Sequence, residues 1–114
     1  MIGFKPEVVH EGIDFHVWYA IGVVNALMQE FFQKSLVVTS MKDGRHKVGS
    51  KHYDGLAFDM RTTHGNLLAP HEIAYLYHEL RKRLDLLGFD TVIENDHLHI
   101  EWDPKYGEMF YKIV

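Results

Sequence analysis

Two short segments constrain the fold most. Leu56-Ala57-Phe58-Asp59-Met60-Arg61 and His97-Leu98-His99-Ile100-Glu101-Trp102 each alternate apolar with other residues at every second position. Side chains alternate faces along an extended strand. Leu56, Phe58 and Met60 therefore share one face, and Ala57, Asp59 and Arg61 the other. In the second segment Leu98, Ile100 and Trp102 share a face, opposite His97, His99 and Glu101. Each strand thus has an apolar face for a core and a polar face left free for chemistry.

The remaining sequence supplies the cover. Asp14 suits a helix cap, and Val17, Ile21, Val24, Met28 and Phe31 recur at three- and four-residue steps, so a helix is expected over 14–34. Leu36-Val37-Val38-Thr39-Ser40 is β-branched and reads as a strand. Residues 42–54 and 62–69 read as loops. Pro70 opens a second helix, with Ile73, Leu76, Tyr77, Leu80, Leu84 and Leu87 on one face and Gly88 as its stop. Thr91-Val92-Ile93 is a strand that turns at Asn95-Asp96 into the last one. The tail, with Met109, Phe110, Tyr111, Ile113 and Val114, is apolar enough to pack back on the body. The order α-β-β-α-β-β implies an α+β fold: a small, mostly antiparallel sheet with helices packed on one face. A length of 114 residues suits a single domain over 1–114.

Composition narrows the function. The formal net charge of -4 argues against a broad nucleic-acid surface, although Arg45-His46-Lys47 and Lys51 form a local basic run. The absence of cysteine removes disulfides, thiolate ligands and cysteine nucleophiles together. No apolar run reaches the ~18 residues of a membrane span. The N-terminus lacks a basic start followed by an apolar stretch, so no signal peptide is expected.

Nine histidines are many for this length. His52, Asp59, His97 and His99 stand out because the strand pattern brings polar faces together. Two neutral imidazoles and a carboxylate form a common three-ligand set for a catalytic zinc. If the two alternating strands are neighbours, Asp59 and His99 reach one ion, and His52 joins from the loop before the first of them. Gly55 and Ala57 would keep bulk away from it. The bland alternative is a set of ordinary surface histidines beside a solvated Asp59. A closed structural zinc site fits less well, because such sites have four ligands. Two histidines and a carboxylate also suit an iron oxygenase, but those sites sit in barrels of many strands, and only about four are expected here.

At these residues the chain resembles the zinc D-alanyl-D-alanine carboxypeptidases and the L-alanyl-D-glutamate endolysin peptidases, whose fold also occurs in the Hedgehog signalling domain. The family pattern is Ser-x-His, six residues, Asp, then a carboxylate three residues before a final His. Here it reads Ser50-x-His52, Asp59 and Asp96-x-x-His99, with the His-x-His variant present as His97-x-His99. The resemblance runs from Val37 to Trp102. It implies a Hedgehog/DD-peptidase-like fold and a zinc metallopeptidase that hydrolyses peptide bonds in peptidoglycan stem peptides, as an endopeptidase or carboxypeptidase. It implies one Zn2+ per chain on His52, Asp59 and His99, with Asp96 as the catalytic carboxylate. His97 would assist the tetrahedral intermediate. Arg45 is the natural match to the family's substrate-contacting arginine, although Asp43-Gly44-Arg45 departs from the commoner spacing, and Ser50 would bind a polar end of the substrate. The expected protein is a monomer made in the cytoplasm, acting on the cell wall after release or as part of a phage particle, with no nucleic-acid or membrane partner. The alternative is an inactive metal-binding virion or wall-binding module of the same fold.

Overall fold

The computed structural model describes residues 2–9, 11–42, 51–52 and 54–103. Arg45, Ser50 and the apolar tail beyond Asp103 lie outside them. The chain forms an α+β structure with a five-stranded mixed sheet and two α-helices. The elements are β1 (Ile2–Phe4), α1 (Phe15–Leu27), β2 (Leu36–Ser40), β3 (Ala57–Arg61), α2 (Pro70–Leu84), β4 (Phe89–Ile93) and β5 (His97–Trp102). The sheet order is β1-β2-β3-β5-β4.

Three of the four strand pairings are antiparallel, and β1 pairs parallel to β2. The sequence reading lacks β1. Three residues interrupted by Gly3 carry no alternation, and the strand forms because it completes the ladder beside β2. Helix α1 starts where expected: the Asp14 side chain accepts the backbone N–H of His16. It ends earlier, at Leu27, and continues as a π-helical turn over Met28–Phe32, stopped by Gln33 in a left-handed conformation. Helix α2 opens on Pro70, and the Glu72 carboxylate accepts the Ala69 N–H. Gly88, at φ 94°, turns the chain into β4.

The core lies on one face of the sheet. Val38, Phe58, Met60, Phe89, Leu98 and Ile100 meet Val17, Ile21 and Val24 of α1 and Leu76, Leu80 and Leu84 of α2. Each fully buried side chain of this size contributes about 1.5–3 kcal/mol, enough to fix the register of β3 and β5. A one-residue slip would turn Phe58, Met60, Leu98 and Ile100 out of the core. The same register fixes the opposite face, where Asp59 pairs with His99, Arg61 with His97 and Ala57 with Glu101. No helix among the described residues is long and apolar enough to cross a membrane.

Candidate metal centre

Asp59 and His99 face each other across β3 and β5, and His52 reaches them from the turn before β3. That turn is held by backbone hydrogen bonds from Gly55 N to His52 O and from Leu56 N to Lys51 O. Gly55 sits at φ +72°, and a Cβ there would collide with the Gly12 carbonyl oxygen. Its hydrogen needs are met by the segment before α1, since Asp14 N donates to Gly55 O. Gly55 therefore serves close packing of the turn, and does not act by clearing space around an ion as the sequence reading supposes.

His52 is only 2% exposed, which rules out the surface-histidine reading for this residue. Its Nδ1 lies 2.6 Å from the Met41 carbonyl oxygen, an acceptor, so Nδ1 carries the proton. Met41 follows directly on an irregularity in β2, where Ser40 rather than Thr39 pairs with Asp59. Nε2 of His52 is left with its lone pair, 3.1 Å from Asp59 Oδ1 and 3.1 Å from His99 Nδ1. His99 is held in the opposite sense. Its Nε2 lies 2.8 Å from Glu101 Oε1, and its Nδ1 lies 3.0 Å from Asp59 Oδ1.

Three electron-pair donors thus converge in a nearly equilateral triangle, with both imidazoles anchored from behind by an acceptor. Neutral, this arrangement is repulsive. It calls for a cation at its centre: a metal ion or a proton. The triangle fits a metal, because bonds of ~2.0–2.1 Å in a tetrahedral site separate the ligand atoms by roughly 3.3 Å. Its outer shell fits too, since metal-bound histidines characteristically donate their second N–H to a carboxylate or carbonyl. The proton alternative shows in the electrostatics. Burial alone would lower the His99 pKa, but the hydrogen bonds and charges of Asp59 and Glu101 raise it to about 9. For Asp59, burial opposes ionisation, but its contacts with the His52, His99 and His97 imidazoles hold the carboxyl well below the usual range. The site is therefore built around positive charge.

Glu101 is a residue of the candidate site that the sequence reading does not assign to it. The register sets Arg61 opposite His97 and leaves Glu101 to orient His99. Strand parity already carried the signal, because Glu101 is two residues beyond His99 on the same face. The Met41 carbonyl left no such signal, being backbone.

Comparison with known proteins returned no match. No family model, curated protein or solved structure is similar to this chain at a significant level.

Asp96 and His97 form a second tier. Asp96 lies in the turn between β4 and β5, its carbonyl accepting Thr62 N–H, and its side chain is 71% exposed. Asp96 Oδ1 accepts from His97 Nδ1 at 2.8 Å, a bond that holds the Asp96 carboxyl below its ordinary value. His97 Nε2 then faces the second oxygen of Asp59 at 3.7 Å, too long for a hydrogen bond but close enough to feel its charge. The structure thus brings His52, Asp59 and His99 together and sets His97 beside them. Asp96 stands one imidazole further out.

Proposed function

We propose that this chain is a zinc-dependent peptidase of the Hedgehog/DD-peptidase fold that cleaves peptide bonds in bacterial cell-wall stem peptides. The observation that carries the metal is the triangle of His52, Asp59 and His99, with both imidazoles anchored from behind. The spacing of Ser50-x-His52, Asp59 and Asp96-x-x-His99 supports the substrate class through the resemblance alone.

A zinc ion bound there supplies a Lewis acid that acidifies water toward ~7 and polarises a carbonyl. The chain's own residues do the rest. His52, Asp59 and His99 would hold the ion, with one negative charge between them, and Met41 and Glu101 fix the two rings. Asp96 takes the proton of the attacking water and passes it to the leaving amine. Its exposed side chain, in the turn between β4 and β5, would leave it open to that exchange with solvent and substrate. His97 steadies Asp96 and faces the charge that develops at the reacting carbonyl. Arg45 and Ser50, which precede His52 in the sequence, are proposed substrate contacts.

The test is mass spectrometry of purified peptidoglycan digested with the protein, with and without a chelator. Release of new amine termini that stops with chelator and returns with zinc supports the reading. Zinc bound at one per chain with no amine release from any peptidoglycan contradicts it, and leaves the inactive metal-binding module.

A further inference from the structure

The polar face of the sheet continues past the metal triangle into a cleft of about 380 Å3 lined by Lys5, Thr39, Arg61, His64, Asp96 and His97. That volume falls within the range of small-ligand sites, roughly 300–1,000 Å3. Its cations are placed by the sheet itself. Arg61 ends β3, two residues beyond Asp59 on the same face. Lys5 follows β1, and its backbone N–H donates to Val38 O, which extends the parallel ladder and sets Lys5 beside Thr39.

Of the described Lys and Arg residues outside the cleft, four face a carboxylate, and Lys42 and Lys51 do not. Lys34 faces Glu72, Arg81 faces Asp85, and Lys82 and Arg83 face Glu79. Among the described residues neither Lys5 nor Arg61 has an ion-pair partner. The carboxylate that lines the cleft, Asp96, accepts a hydrogen bond from His97. The cleft of this acidic chain, of formal charge -4, thus sets two cations, Lys5 and Arg61, against a single lining carboxylate, next to the candidate metal centre. His97 joins the two regions, since it lines the cleft and faces Asp59.

We infer that this cleft binds a carboxylate of the peptide whose scissile bond lies over His52, Asp59 and His99, with Arg61 and Lys5 as the specificity-determining contacts. The inference rests on the peptidase reading and names the chemistry of its substrate. Arg61 lies about 7 Å along β3 from Asp59, so the recognised carboxylate stands about two residues from the scissile bond of an extended peptide. An arginine gives directional hydrogen bonds to such a group, and the lysine adds a point charge.

The experiment uses the full chain, chelator-treated and zinc-loaded, titrated with glutarate and with glutaramide, and followed through backbone amide resonances. Saturable shifts at Lys5, Thr39 and Arg61 with glutarate but not glutaramide are expected in both forms. The double variant Lys5→Gln with Arg61→Gln should weaken glutarate binding roughly tenfold, with the wild-type amide spectrum otherwise retained. Equal binding of the two probes, or glutarate affinity unchanged in the double variant, would overturn the inference, because the anion would then be bound elsewhere. With a peptide carrying the carboxylate, the variant should raise KM and leave KM for the amidated peptide unaltered; an equal rise for both peptides would also overturn it. Because the probe titration needs no turnover, its failure is distinct from failure of the peptidase reading, which the peptidoglycan digest detects.

Discussion

Asp59 Oδ1 lies 3.0 Å from His99 Nδ1, and the two residues are direct partners in the antiparallel ladder of β3 and β5. The same register that buries Phe58, Met60, Leu98 and Ile100 therefore assembles two of the three proposed ligands. Folding and site formation are one event for these two residues. His52 is added by a turn whose geometry depends on Gly55 and on the chain before α1.

Glu101 should matter to metal affinity although it touches no metal. It fixes the proton of His99 on Nε2 and so keeps Nδ1 free. Glu101→Gln is expected to weaken zinc binding roughly 10- to 100-fold with the fold retained. Competition against a chromophoric chelator measures this, and an affinity equal to wild type would remove Glu101 from the site.

The metal-free protein should lose stability as pH rises. An unfolded histidine titrates near ~6.5, whereas His99 is raised to about 9 by Asp59 and Glu101 against the opposing effect of burial. The folded state thus holds that proton more tightly. The contribution is complete below about pH 6.5 and disappears as pH climbs through about 9. Urea midpoints of chelator-treated protein across this window should fall, and His99→Gln should flatten the trend. A wild-type midpoint that rises over the same window would be the wrong sign. Zinc-loaded protein should behave oppositely, because a metal needs the deprotonated ligand.

Gly55→Ala should destabilise the chain by about 1–3 kcal/mol. The position has a positive φ of 72°, and the added Cβ meets the Gly12 backbone. Chemical denaturation measures the loss, and zinc affinity should fall with it because His52 sits on the same turn. Unchanged stability would mean that the turn and the segment before α1 are not packed as described.

Asp96→Asn should separate chemistry from binding. The residue lies outside the triangle, so zinc affinity should hold while kcat for peptide hydrolysis falls about 10²- to 10⁴-fold. His97→Ala should give a smaller loss, because it removes the partner of the base and not the base. Full turnover in the Asp96→Asn protein would move proton transfer to another group.

Much of this site was legible in the sequence because strand parity is local. Alternation over six residues placed Asp59 and His99 on polar faces, and core burial enforces that parity. The second helix, with Pro70 at its start and Gly88 after its end, was legible for the same reason. What depends on partners distant in the chain was not. β1 exists only because β2 offers a ladder, so Lys5 gave no sign of lining a cleft beside Thr39. The pairing of Arg61 follows the register between strands, which alternation alone does not set. The hydrogen bond from His52 to the Met41 carbonyl is a backbone contact that no side-chain pattern announces.

His52, Asp59 and His99 are proposed to hold one metal ion. Isothermal titration of chelator-stripped protein with zinc tests it directly, on wild type and on His99→Ala. The account predicts one site per chain in the wild type, and affinity lower by roughly a hundredfold or more in the variant, since one of three ligands is gone. Wild-type binding no tighter than that of His99→Ala would contradict it.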